Sequence, residues 1–130
     1  MDWTDIVINI LISASVSGIV GVIVNIWYQQ KNQIKQAKLH VLQQLLGNRY
    51  DLRGEKFTEA LNQIFVTFYN SKDVLIALKA FYEIATSPMK NNEVMNQRIL
   101  DLFKAMYKDL KLNIEPLNDT FFLHAFNVKI

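Results

Sequence analysis

Side chains able to do acid, base or ligand chemistry are few and scattered along the 130 residues. The two histidines, His40 and His124, stand far apart and outside metal-ligand spacing, so both read as boundary or surface residues. There is no cysteine, which removes disulfides, thiolate zinc sites and thiol nucleophiles. Glu55 and Glu59 lie one turn apart, but Arg53 and Lys56 neighbour them at a helix start, where acids complement the dipole. Carboxylates that share acid/base work need environments that separate their pKa values, and none is evident here. No HExxH, P-loop, GxGxxG or GxSxG pattern occurs. The chain is therefore read as a non-enzyme without metal or cofactor. One cationic cluster, Arg49, Arg53 and Lys56, has the donors to bind an anion such as a nucleotide ligand or a phosphate. Capping and ion pairing with Asp51 and Glu55 is the competing reading, and nucleic acid is not an expected partner at a net charge of +2.

The most patterned polar residues lie in an unusual place. Residues 6–28 contain no charge and are dominated by Ile, Val and Leu. Roughly 23 residues make a helix of about 34 Å, enough to cross a bilayer. Within this run Asn9, Ser13, Ser17, Gly21 and Asn25 recur every fourth residue, with Ala14 and Gly18 as a second small pair. Helices associate in lipid through close packing and interhelical hydrogen bonds, so such a row is where a neighbouring helix docks. With one spanning segment per chain, the simplest neighbour is another copy, and a homo-oligomer is expected. The row wraps around the helix, because four residues overshoot a 3.6-residue turn. A dry packed bundle is expected at rest; a tilted one could line a narrow channel with Ser13, Ser17 and Asn25.

Orientation follows from the flanks. Asp2 and Asp5 precede the segment, while Lys31, Lys35 and Lys38 follow it. The positive-inside rule then puts the C-terminal part in the cytoplasm and the segment in the inner membrane, as a single pass. Trp3 at one end and Trp27-Tyr28 at the other suit an interfacial aromatic belt. The three lysines share one helical face, where they could meet anionic headgroups or simply stay solvated. A cleaved signal peptide competes, with Ser13, Ser15 and Ser17 as small-residue pairs, but the acidic N-terminal flank and the continuation to Trp27 favour an uncleaved anchor.

Beyond the anchor, assigned to residues 1–28, residues 29–130 read as a small helical bundle. Hydrophobic residues make up 51% and Gly plus Pro only six positions, which suits helices and excludes low-complexity classes. Ile34, Ala37, Val41, Leu42 and Leu45 mark the stripe of a helix over 29–46, ended by Gly47-Asn48. Phe57, Ala60, Leu61, Ile64, Phe65 and Phe68 mark a second over 55–69. After Asn70-Ser71, with Ser71 as N-cap, Val74, Leu75, Leu78, Phe81 and Tyr82 mark a third to residue 85. Val94, Ile99, Leu102, Phe103, Met106 and Leu110 mark a fourth over 93–112, and a short terminal helix carries Phe121, Phe122 and Ala125. No period-two strand appears, so the fold class is all-α: one transmembrane helix and a cytoplasmic bundle. Asn62 falls inside the second stripe and is expected to be satisfied internally, fixing register.

The N-terminal Trp and apolar helix, Leu45-Leu46-Gly47-Asn48-Arg49, Phe57-Thr58-Glu59-Ala60-Leu61-Asn62-Gln63-Ile64 and the 68–74 stretch together resemble a family of small bacterial membrane-anchored proteins of unknown function. That resemblance implies a helical cytoplasmic domain and no activity. A looser similarity is to membrane accessory proteins of type VI-B CRISPR systems, helical proteins that assemble as pores. The HEPN ribonucleases, also small helical bundles, carry a His four to six residues after an Arg; Arg49, Arg53 and Arg98 have none, so that RNA-cleaving chemistry is not expected. The resulting expectation is a self-associating membrane effector, in antiviral defence, that alters permeability. The alternative is a membrane-tethered adaptor that concentrates a binding domain for a cytoplasmic protein at the bilayer.

Overall fold

The computed structural model describes residues 2–89, 91–115, 117 and 119–123, and these form helices without strands. Five helices follow in order: α1 (Trp3–Gly47), α2 (Glu55–Thr67), α3 (Lys72–Ala85), α4 (Asn92–Asp109) and α5 (Asp119–Leu123). The chain divides into two compact units, Met1–Ile34 and Lys35–Ile130.

The first unit is the apolar part of α1. Its sequence lacks proline and has apolar residues on every side, so backbone hydrogen bonding proceeds uninterrupted while nothing selects one face for burial. None of the 18-residue window that makes it long and apolar enough to cross a membrane is buried.

The second unit has one core. Val41, Leu42 and Leu45 from the last turns of α1, Phe57, Ala60 and Ile64 from α2, and Val74, Leu78 and Phe81 from α3 meet Ile99, Leu100, Leu102, Phe103 and Met106 from α4. The helix α4 packs most extensively on α3 and carries α5. Phe122 anchors α5 by lying edge-on to Tyr107, 5.1 Å between centroids at 90°, and beside Phe103 at 6.4 Å. Such offset and edge contacts exploit the ring quadrupole.

Helix ends are set by side chains more than by glycine. Gly47 has no left-handed backbone. Instead the Asn48 amide donates to Gln44 O at 2.8 Å and Arg49 Nη1 donates to Leu46 O, covering carbonyls that the end of α1 leaves open. At the start of α4, Asn91 Oδ1 accepts from Glu93 N and Val94 N at 2.9 and 3.4 Å. Ser71 occupies the N-cap of α3 as expected, but its side chain makes no capping bond.

Several expected positions require correction. Phe65 and Tyr82, assigned to apolar stripes, are exposed, as are Ile34 and Ala37. In α2 and α3 two apolar arcs overlap and spacing alone does not choose between them, whereas Ile34 and Ala37 share the arc of buried Val41 and Leu45 but precede Lys38, where burial in the second unit begins. Asn62 is exposed, so the burial penalty that would have required an internal partner does not arise. The fourth helix stops at Asp109, short of 112, because Lys111 turns left-handed at φ 57°. The Leu112 and Lys111 amides then donate to Tyr107 O and Lys108 O, completing a Schellman motif without its usual glycine. Ala125 and His124 lie outside the described residues.

Candidate functional site

The polar row of the first unit is the most regular feature available to a ligand or partner. Asn9, Ser13, Ser17, Gly21 and Asn25 are all exposed along α1. Ser15, off the row, satisfies itself by donating to Leu11 O at 2.9 Å, the back-bond that hydroxyls make within helices. The side chains of Asn9, Ser13, Ser17 and Asn25 make no hydrogen bond among the described residues. Ile6, Asn9, Ile10 and Ser13 line a shallow notch of about 390 Å³. Residues at i, i+3, i+4 and i+7 are the four that frame a hole for a side chain of a packed helix. A Cβ placed on Gly18 or Gly21 would meet nothing within 4 Å, so no contact inside this chain requires glycine there.

The basic residues after the apolar run separate. Lys31 and Lys35 are exposed, and the Lys31 ammonium lies 5.0 Å from the centre of the Trp27 ring, within cation–π range. Lys38 is different. Its Nζ is 2.8 Å from Asp109 Oδ2, with side chains only 11% and 20% exposed, and 5.3 Å from the Phe68 ring centre. It ties α1 to α4 and is therefore not a third headgroup cation, which corrects the expectation from spacing. Asp109 was missed, although a signal existed. A carboxylate at the last residue of a helix opposes the macrodipole and calls for a cation.

The Arg49, Arg53 and Lys56 cluster is also divided. Arg49 is half-buried at the end of α1 with its guanidinium on Leu46 O. It neighbours Tyr107, whose phenol is pushed above its ordinary 10.0 by burial, with the Arg49 charge opposing the rise. Arg53 and Lys56 are exposed and make no ion pair among the described residues. His40, Glu55 and Glu59 are exposed. No group of three His, Asp or Glu among the described residues is placed to hold a metal. A separate open cleft of about 410 Å³ is lined by Asp73, Lys104, Ala105, Lys108, Leu112 and Ile114. Lys104 is already engaged with Asp119 at 3.1 Å.

Residues 1–118 match a family of unknown function, DUF6680, and the chain belongs to that family. No curated protein and no solved structure matches it.

Proposed function

We propose that this member of a family without known activity is a single-pass inner-membrane protein whose spanning helices associate between copies along Asn9, Ser13, Ser17, Gly21 and Asn25, with residues 29–130 in the cytoplasm. One observation carries the reading: on an exposed, largely apolar stretch of α1, the side chains of Asn9, Ser13, Ser17 and Asn25 have no hydrogen-bond partner among the described residues. In hydrocarbon, leaving them unsatisfied is costly, and a second helix offering the same groups removes that cost. The biochemical consequence is an effector that changes membrane permeability when the packed helices rearrange, since two packings of the bundle expose different amounts of the polar row. The looser likeness to type VI-B accessory proteins bears only on the oligomeric membrane architecture; antiviral defence is the setting we propose for it.

Ser17→Leu combined with Gly21→Leu is expected to abolish self-association, read by chemical cross-linking in membranes. Because Gly21 has free space around it within the chain, a loss reports on contact between copies. An unchanged oligomer would refute the proposal. Dye leakage from liposomes holding the full chain tests the permeability step.

The adaptor reading also has an observation in its favour. Among the described residues every buried one lies at Val41 or later, within the second unit. Exchanging residues 6–28 for an unrelated anchor separates the two: an adaptor keeps its function, an effector loses it.

A further inference from the structure

We infer that the exposed stripe of Asn62, Phe65 and Val66 on α2, with Tyr69 in the turn that follows it, is a second contact between copies of this chain, made by the Lys35–Ile130 unit; the inference rests on the proposed membrane association. Asn62, Phe65 and Val66 follow i, i+3 and i+4 on α2, away from its buried Phe57, Ala60 and Ile64, and Tyr69 comes two residues after the helix ends. Phe65, Val66 and Tyr69 are 61%, 77% and 66% exposed, and none is needed by the core. An exposed aromatic ring and a valine on one helix face, with a further exposed ring just past the helix end, are the kind of surface that marks an interaction site.

The area decides the occupant. Three such side chains present about 400 Å² of surface. A stable complex between freely diffusing proteins needs roughly 800 Å² from each partner, so this stripe alone does not hold one. It suffices when the partner is already concentrated, and tethering supplies effective concentrations on the order of millimolar. Under the proposed membrane association the molecule held at that concentration is another copy. The stripe also carries no charge, so it meets its own image without like-charge repulsion, and the Asn62 amides can pair with each other at its end. A lipid surface fits less well. The helix carries Glu55 and Glu59 against a single Lys56, whereas helices that lie on anionic bilayers are rich in Lys and Arg.

The chain contains no cysteine, which makes a direct test available. Single Val66→Cys, Gln29→Cys and Lys79→Cys variants of the full chain, in liposomes, are oxidised and the disulfide-linked dimer is measured. Position 29 continues the four-residue row at the edge of the apolar run and reports on the membrane contact; Lys79 is an exposed control on α3. Val66→Cys is expected to cross-link well above Lys79→Cys, and Phe65→Glu in the same chain is expected to cut that yield roughly tenfold while leaving the Gln29→Cys yield unchanged. Gln29→Cys dimers with Val66→Cys no better than the control would overturn the inference and keep the membrane proposal. No dimer at either position would remove both. Dimer at Val66→Cys alone would keep the contact and remove the membrane association. Quenching of a fluorophore attached to the thiol of the Val66→Cys variant by lipid-borne quenchers, at high dilution of protein in lipid, would assign the stripe to the bilayer and overturn the inference.

Discussion

Removing the Asp109 carboxylate would leave the Lys38 ammonium in a site where it is only 11% exposed, with an aromatic ring as its remaining neighbour. Breaking one side of a buried pair costs more than the pair contributes, because an uncompensated charge stays behind. For this partly solvated pair, Asp109→Asn should lower unfolding stability by about 2 kcal/mol, between exposed and fully buried cases. The double replacement Lys38→Met with Asp109→Leu should recover most of that loss, and thermal unfolding in detergent followed by circular dichroism compares the three proteins. Lys111 gives a change of opposite sign. A side chain at φ 57° carries the Cβ clash that glycine avoids, so Lys111→Gly should raise stability by roughly 0.5–1 kcal/mol in the same assay. Tyr107 adds a pH dependence. Its phenol is raised above 10.0 in the folded chain, chiefly by burial. Above pH 10 the unfolded chain therefore binds fewer protons than the folded one, and stability falls as pH rises until the folded phenol also ionises. Below pH 10 this contribution is fully present. Tyr107→Phe should flatten that alkaline decline in unfolding midpoints measured across pH 9 to about 11.5, a window chosen to bracket the ordinary phenol value.

At the scale of elements, the helices were readable because each places large apolar residues three and four apart between strong punctuation. Asn91 shows punctuation with a mechanism: its carboxamide oxygen covers two amides at the start of α4. Asn91→Ala should cost about 1 kcal/mol, measured by denaturant unfolding, whereas Ser71→Ala should cost less through capping because Ser71 makes no such bond. What the sequence hid falls into two kinds. The end of α4 was overrun because a lysine occupies the place where glycine normally announces a left-handed stop. The exposure of Phe65 was hidden because α2 carries two apolar arcs, Phe57-Ala60-Ile64 and Leu61-Phe65-Val66, and helical spacing admits either as the buried one. Tertiary packing against α3 and α4 makes that choice. The polar row of α1, by contrast, is visible from residue type and period alone, and the structure adds that its residues are exposed.

For the molecule as a whole, the proposed topology and the folded structure use the same lysines at different times. In the proposed topology, orientation is decided as the apolar segment enters the membrane, when Lys31, Lys35 and Lys38 all count as flanking charge against Asp2 and Asp5. In the folded second unit Lys38 is withdrawn into its pair with Asp109, while Lys31 and Lys35 stay exposed and are the two that the proposed topology brings to the headgroups. The two roles can be separated. Lys31→Glu with Lys35→Glu and Asp5→Lys should invert a substantial fraction of chains, because the basic bias then lies on the other side. Lys38→Met should leave orientation unchanged while lowering the stability of the Lys35–Ile130 unit. Labelling a single cysteine introduced at exposed Lys79 with a membrane-impermeant maleimide, on intact and on opened cells, measures the orientation. Labelling of the Lys79→Cys variant with no other change, in intact, unopened cells, would contradict a cytoplasmic second unit, and with it the proposed single-pass topology.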